Sequence, residues 1–211
     1  MSILFENKPE RAQESAFLEV VKKRRTIYAI GKEEIVPAGQ VERIVKDAVL
    51  HVPSAFNSQS ARVVVLFGAQ SDKLWDIAKE TLKAIVPADS YPDTEARLNG
   101  FRAGYGTVLF FEDQDVVKGL QEQFALYKDN FPIWSLQSSG MLQFTVWTAL
   151  EEAGLGVNLQ HYNPLIDEQV KTTWSIPENW KLLSEMPFGK PLAPAGEKDF
   201  SPIEDRVKIF K

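Results

Sequence analysis

The sequence predicts a sandwich of the α/β or α+β class, with helices packed on both faces of one sheet. Segments with helical spacing alternate along the chain with short apolar runs. Two of these runs, VVVLF at 63–67 and VLFF at 108–111, are typical of strands that are covered on both faces. A chain of 211 residues can bury such a core, and we expect a single domain over residues 1–211.

The composition is that of an ordinary soluble globular protein, with 44% hydrophobic and 25% charged residues. The net charge of -5 argues against a general nucleic-acid binder. No stretch reaches the roughly 18 apolar residues that a membrane span needs. The N-terminal residues 1–15 lack the apolar centre of a signal peptide, so we expect a cytoplasmic protein that contacts neither nucleic acid nor membrane. The absence of cysteine excludes disulfides, thiolate metal ligands and a cysteine nucleophile.

The first half of the chain predicts three helices. Residues 15–25 place apolar side chains on one side, and residues 41–52, behind Pro37, repeat them with i, i+3, i+4, i+7 spacing. Ser71 is a good N-cap for the third helix. Residues 87–106 contain two prolines and three glycines and predict a loop.

The second half predicts one long helix and three short strands. The helix covers about 132–153 and ends in Gly154-Leu155-Gly156, which is suited to a C-cap. The strands are VNLQ at 157–160, KLLSEMPFG at 181–189 and RVKIF at 206–210. Residues 187–202 predict an extended arm, so that 187–211 would form a C-terminal arm and strand.

Two separated groups of cations are candidates for an anion site. Arg24, Arg25 and Thr26 follow the first predicted helix. Cations there already favour the helix macrodipole, but a planar guanidinium also binds phosphate bidentately, and a hydroxyl adds a donor. Arg206 and Lys208 alternate, which puts both on one face of a strand, although such a pair is more often a solvated edge.

The segment PSAFNSQS, at 53–60, concentrates amides and hydroxyls just before a buried strand. Asn57 and Gln59 each offer a donor and an acceptor, which suits the C=O and N–H groups of a flavin or a nucleobase. Ser and Asn also satisfy local backbone in turns, and for this segment alone that explanation is slightly favoured.

A third polar segment, GLGVNLQHYNP at 154–164, follows the long helix. Its His161 could donate a proton or stack on a ring, whereas we expect His51 to be structural. Two histidines without acidic residues at ligand spacing make a poor metal set, so we expect no metal. The chain contains no GxGxxG, P-loop or serine-triad motif.

Taken in order, RRTIYAIGK, PSAFNSQS, GLGVNLQHYNP and DRVKIF resemble the motifs of the nitroreductase superfamily of FMN-dependent flavoproteins, in particular its fatty-acid-repression-like subgroup. The resemblance extends from about Phe17 to Phe210. It implies an α+β fold with a central, mainly antiparallel sheet flanked by helices. It also implies an intertwined homodimer with FMN bound non-covalently at the subunit interface.

The resemblance assigns a role to each polar segment. The residues that would hold the FMN phosphate and ribityl chain are Arg24, Arg25, Thr26, Arg206 and Lys208. The other cofactor-binding residues are Tyr28, Pro53, Ser54, Asn57, Gln59, Gln160 and His161. Part of the 53–59 set would reach the flavin across the dimer interface, and the backbone near Gln160 and His161 would face the isoalloxazine close to N5. His161 and Tyr162 would belong to the substrate pocket; no catalytic side chain is required, because the flavin carries the chemistry.

The implied activity is reduction of nitroaromatic, quinone or similar acceptors with NADH or NADPH, by a ping-pong hydride mechanism. One alternative is a flavin-binding regulatory or sensor protein with little turnover, and another is an anion-binding module without flavin. The chain departs from the common family pattern at Ser60-Ala61-Arg62, in place of Pro-Trp, and at 158–161, in place of Pro-Ile-Glu-Gly. We expect substrate specificity to depend on these two departures.

Overall fold

The computed structural model describes residues 15–211, within which the chain forms seven α-helices and five strands. The helices are α1 Ala16–Lys23, α2 Ala38–His51, α3 Ala69–Lys83, α4 Tyr91–Arg102, α5 Gln114–Gln123, α6 Phe131–Glu152 and α7 Asp167–Trp174. The strands are β1 Ile30–Gly31, β2 Ala61–Phe67, β3 Gly106–Asp113, β4 Gly156–Val157 and β5 Trp180–Pro191. The interpretation of the N-terminus as lacking a signal peptide concerns residues 1–14 almost entirely, which lie outside this range.

The strands form one antiparallel sheet in the order β1-β5-β3-β2, with β4 also paired to β5. The register places Val64 of β2 opposite Leu109 of β3, and Leu109 opposite Glu185 of β5. β2 is therefore one edge of the sheet, while β1 and β4 lie beyond β5 on the other side. The expected antiparallel sheet is confirmed.

Helices cover both faces of this sheet, as the alternating pattern predicts. On one face, α2 and α6 pack on Phe110 and Met186. On the opposite face, α3, α4 and α7 pack on Leu109 and Leu182. Because successive residues of a strand point to opposite faces, the uninterrupted apolar sequence of β3 serves both layers. The α+β class is confirmed.

The long helix α6 ends as its glycines predict. Gly154 adopts a positive φ of 101°, and its N–H donates to the Glu151 carbonyl at 2.9 Å. The Leu155 N–H donates to the Leu150 carbonyl at 3.1 Å. This pair of bonds is a Schellman motif, which turns the chain from α6 directly into β4. In the part of the chain that the structure describes, no helix is both long and apolar enough to cross a membrane.

The predicted cap of the third helix is wrong. α3 begins at Ala69, directly after Gly68, whose φ of 52° makes the sharp turn out of β2. Ser71 lies inside the first turn and is fully buried, and its hydroxyl bonds to the Thr107 hydroxyl at 2.7 Å. The sheet, rather than the helix terminus, therefore satisfies this side chain.

The loop predicted at 87–106 is also wrong, since it contains the twelve-residue helix α4. Pro92 lies in its first turn, where the missing N–H costs nothing. Only Leu98 and Phe101 of this helix are buried, so the sequence carries almost no amphipathic pattern. The short helices α5 and α7 were not predicted.

Two strand predictions need correction. Of VNLQ only Val157 lies in a strand, β4, and Gln160 returns to β5 through an isolated bridge to Glu185. RVKIF forms no strand: a 3-10 turn at Ile203–Asp205 leads into an exposed, irregular terminus. A strand needs a hydrogen-bonding neighbour, and none of the described residues supplies one there. Residues 187–191 belong to β5, so the extended arm begins at Leu192.

Candidate functional site

The segment after α1 and the segment after α6 run side by side. The Ile27 N–H donates to the Val157 carbonyl at 2.9 Å, and the Asn158 Nδ2 donates to the Ile27 carbonyl at 2.9 Å. The Gln160 Nε2 in turn donates to Asn158 Oδ1 at 2.8 Å. Because β4 and the Gln160 bridge are anchored on β5, both segments are fixed to the sheet.

These two segments line a groove of about 480 Å³, which we call the first groove. Tyr28 contributes from the first segment and Gln160 from the second, and α4 forms the facing wall. The α4 residues that line the groove are Ala96, Arg97, Gly100 and Phe101. Arg97 is exposed and brings a positive charge into the groove. Sequence reasoning missed it, because its helix was assigned to a loop.

Helix α6 contacts the Arg24 side chain and the Arg25 backbone of the first segment. The Arg24 guanidinium lies 4.5 Å from the centre of the Trp147 ring, within cation–π distance. Glu151 accepts the Arg25 N–H at 2.7 Å and the Trp147 indole N–H at 2.8 Å. Burial raises the pKa of the Glu151 carboxyl, although these hydrogen bonds and the nearby Arg24 oppose that shift. Thr26 is half-buried in the same segment.

The arm after β5 returns past this segment. The Leu192 N–H donates to the Ala29 carbonyl at 2.8 Å, and the Arg25 guanidinium donates to the Gly196 carbonyl. Arg206 and Lys208 lie farther along and are exposed. Lys208 Nζ donates to the Glu204 carbonyl at 2.7 Å.

The segment 53–60 forms a separate pocket of about 230 Å³. The four residues predicted there, Pro53, Ser54, Asn57 and Gln59, all line it. Leu50 from the end of α2 and Ser138 from the middle of α6 complete its walls. The structure thus unites the predicted set and places it at the start of β2.

The backbone of this pocket loop adopts an uncommon conformation. Phe56, Asn57 and Gln59 have positive φ angles of 57°, 49° and 49°. Left-handed non-glycine residues cost of the order of 1–3 kcal/mol each, less for Asn, and persist where the surroundings impose them. The Ser54 hydroxyl accepts the Gln59 N–H at 3.0 Å, and the Phe56 ring stacks on Trp134 with 5.9 Å between centroids. The loop is therefore pre-formed.

Ser60 and Arg62 hold the loop from inside the protein. Arg62 donates to the Gln59 carbonyl at 2.9 Å and to Asp113 Oδ2 at 2.8 Å. Ser60 is buried and donates to Glu112 Oε2 at 2.5 Å. Burial raises the pKa of Glu112, and the hydroxyl bonds from Ser60 and Ser135 counteract this. Ser60 and Arg62, which stand in place of the Pro-Trp pattern, thus both have structural partners.

The first groove and the loop pocket lie at opposite edges of the sheet. Gln160 bridges to Glu185, Glu185 pairs with Leu109, and Leu109 pairs with Val64 of the edge strand β2. Three strand spacings of about 4.8 Å separate the two sides by about 14 Å, and the pocket loop lies beyond the start of β2. One ring system cannot contact both sets within the same chain.

The two substrate-pocket candidates differ in environment. His161 is exposed, whereas Tyr162 is half-buried with its ring edge-on to Trp75 at 5.9 Å. Burial raises the pKa of the Tyr162 hydroxyl, and the charge of Arg97 opposes that shift. The Gln160 N–H is engaged by Glu185, whereas no acceptor in the described range takes the His161 N–H. Over the same range, no cluster of three or more His, Asp or Glu residues could hold a metal ion.

The fold and the divided polar site define a class: an antiparallel α+β sandwich of the nitroreductase kind. The family model described as "Nitroreductase family" matches residues 21–190. The chain belongs to the nitroreductase family. The family and the fold support an oxidoreductase of this kind.

Individual relatives agree over nearly the whole chain. HBN1 of Saccharomyces cerevisiae is 38% identical, over 93% of this chain and 97% of its own length. The nitroreductase FRM2 of the same yeast is 34% identical, over 92% and 96%, which confirms the fatty-acid-repression-like resemblance. The nitroreductase CinD of Lactococcus lactis, solved in complex with nicotinic acid, is 52% identical and covers 93% of this chain and 100% of its own, with a TM-score of 0.87.

Proposed function

We propose that this protein is an FMN-dependent NAD(P)H oxidoreductase that reduces nitroaromatic, quinone or similar acceptors by a ping-pong hydride mechanism. The observation that carries the proposal is the first groove, in which the Tyr28 and Gln160 segments meet Arg97. CinD has also been solved with chloramphenicol and with 4-nitrophenol. Its 51–52% identity supports ligands of related chemistry for this chain.

The residues present fit the chemistry of FMN. A flavin ring needs donors and acceptors of the amide type; Gln160 lines the first groove, and the N–H of its neighbour His161 has no acceptor among the described residues. The pocket loop adds Asn57 and Gln59. When bound, FMN would accept a hydride from NADH or NADPH and deliver the electrons to the acceptor.

The phosphate of FMN requires cations. The Arg24 guanidinium is already oriented by Trp147 of α6, the Arg25 backbone is held by Glu151, and Thr26 adds a hydroxyl in the same segment. Each charge-assisted hydrogen bond to phosphate would contribute roughly 1.5–3 kcal/mol. Arg206 and Lys208 are exposed on a terminal segment, which leaves them free to close on a phosphate held at a subunit interface.

A homodimer accounts for the division of the site. Two copies of the chain can place the pocket loop of one subunit opposite the first groove of its partner, which a single chain cannot do. The face formed by α1, α2 and α6 supports this arrangement, because it exposes large apolar side chains. These are Phe17, Leu50, Met141 and Phe144. An apolar patch of this extent on a soluble chain commonly marks an interface.

In this arrangement the protein's own side chains would bind the flavin ring and orient it. Tyr28 and Gln160 would hold one edge of a ring bound in the first groove, and Arg97 would stabilise negative charge that develops there. His161 is placed to contact or protonate an acceptor that stacks on the ring.

The test is purification followed by an absorbance spectrum and an anaerobic titration with NADH and NADPH. We expect a yellow protein that loses flavin absorbance on addition of at least one of the two nucleotides and regains it with a nitroaromatic or quinone. A colourless protein that binds no added FMN would falsify the proposal. Tightly bound FMN that neither nucleotide reduces would instead support a flavin-binding sensor.

A further inference from the structure

Glu185 lies directly behind the segment assigned to the flavin ring. It is fully buried in β5, with 0% of its surface exposed. Its main chain exchanges two hydrogen bonds with Gln160, at 2.7 and 2.9 Å. Its side-chain Oε2 accepts the Tyr162 N–H at 2.9 Å. One residue thus fixes the backbone on both sides of His161.

The surroundings of this carboxyl disfavour a charge. Its Oε1 is buried and has no hydrogen-bond partner within residues 15–211. The same holds for Oδ1 of Asn163 and Oδ1 of Asp167, both in the segment that follows Tyr162. Burial is the main cause that raises the pKa of Glu185 to about 8, and the negative charge of Asp167 contributes. The carboxyl is therefore uncharged near neutral pH.

The charged groups around Glu185 come from several elements. The negative charge of Asp167 on α7 raises the pKa of Glu185, whereas the backbone N–H groups of Tyr162, Asn163 and Glu185 itself lower it. Arg97 on α4 acts on the Tyr162 hydroxyl, and Lys171 and Lys181 act on Asp167. None of these cations forms an ion pair with Glu185 in the described part of the chain. An ionised Glu185 would remain uncompensated behind the Gln160 segment.

We propose that Glu185 is a positioning residue whose uncharged carboxyl holds the Gln160–Tyr162 segment against the flavin and links protein protonation to flavin reduction. The inference rests on the proposed function. A flavin bound in front of this segment would carry additional negative charge when reduced. A neutral Glu185 adds no charge behind it, whereas an ionised one would oppose reduction. By linkage, reduction strengthens proton binding at Glu185.

The first test compares Glu185→Gln with wild type and with Glu112→Gln, a matched control at another buried carboxyl with a raised pKa. Glutamine keeps an acceptor for the Tyr162 N–H and cannot ionise. The midpoint potential of the bound flavin is measured from pH 7 to 10. We expect a break near pH 8 in wild type and Glu112→Gln and none in Glu185→Gln. A break that persists in Glu185→Gln, or is absent from wild type, overturns the proposal.

The second test needs no flavin chemistry. The amide resonance of Tyr162 is followed by NMR against pH, with and without added FMN. It should titrate near pH 8 in wild type and stay fixed in Glu185→Gln. Titration in a protein that binds no FMN would refute the proposed function but keep the positioning role. A flavin-loaded wild type whose Tyr162 amide does not titrate refutes the inference alone, even if Glu185→Gln fails to fold.

Discussion

Arg24 is oriented before any anion binds, since its guanidinium is held 4.5 Å from the centre of the Trp147 ring. Stacking restricts a long side chain that would otherwise lose rotamer freedom on binding. A planar guanidinium can stack in this way and still donate in its own plane to a phosphate. Arginine is therefore expected to act differently from lysine at this position.

Arg24→Ala should weaken FMN binding about 10- to 150-fold, which corresponds to the loss of one charge-assisted interaction of roughly 1.5–3 kcal/mol. Arg24→Lys should fall in between, because it keeps the charge and loses the stacking. Fluorescence titration with FMN measures both. Arg43→Ala, at an exposed arginine of α2, is the control and should bind like wild type.

Glu185 also makes stability depend on pH. Its pKa is raised from 4.5 to about 8 in the folded chain, so the folded state binds more protons than the unfolded state between these values. The contribution of Glu185 to the free energy of unfolding is therefore fully present below its unfolded pKa of 4.5, and it is lost as the pH rises towards 8. The full loss of stability is of the order of 5 kcal/mol.

Glu185→Gln should remove this dependence of the unfolding free energy on pH. Chemical denaturation between pH 5 and 9 measures it, and the two curves should converge at low pH and separate at high pH. An equal loss of stability in wild type and Glu185→Gln over this range would contradict the assignment.

Residue types and local spacing predicted polar segments that contain Arg24 and Asn57, and the family resemblance added Gln160; their roles in the site stay predictions. Arg97 and Glu185 were not accessible in the same way. Arg97 reaches the groove only because α4 packs against the Tyr28 segment. Glu185 resembles any polar residue of a strand until the Gln160 bridge is known.

At the scale of elements, strong patterns predicted strands β2, β3 and β5 and helices α2 and α6. The failures have physical causes. α4 buries too few apolar residues to show periodicity. The segment 206–210 has the alternation of a strand, but alternation does not provide a neighbouring strand, and the described chain offers none.

Removal of residues 203–211 tests what the terminal segment does. None of its side chains is buried, so the unfolding free energy of the FMN-free protein should change by less than about 0.5 kcal/mol. FMN affinity should fall at least about tenfold, because two candidate phosphate cations are lost. The variant Arg206→Ala/Lys208→Ala separates charge from chain length. Unchanged FMN binding in both variants would exclude these cations from the site.

At the scale of the whole molecule, α6 has two functions. It buries Leu142 and Val146 in the core, and it exposes Met141 beside them. A helix that is apolar around its circumference is stable when other apolar surface covers all sides. Within one chain, only the core side is covered.

Met141→Asp should therefore convert the protein to a monomer with greatly reduced FMN content. Light scattering after gel filtration and the absorbance of the eluted peak measure the two effects together. Ile85→Asp, at an exposed apolar residue on the opposite helical layer, is the control and should remain dimeric and yellow. A monomeric wild type that holds FMN would show that the divided site is completed in another way.

The distance between the first groove and the pocket loop has a consequence for mixed dimers. If every site takes Arg24 from one subunit and Asn57 from the other, then Arg24→Ala and Asn57→Ala damage different halves of it. A mixed dimer of these two variants contains one doubly altered site and one intact site. At an FMN concentration too low to load either variant, the two preparations, unfolded together and refolded, should therefore regain activity that neither recovers alone.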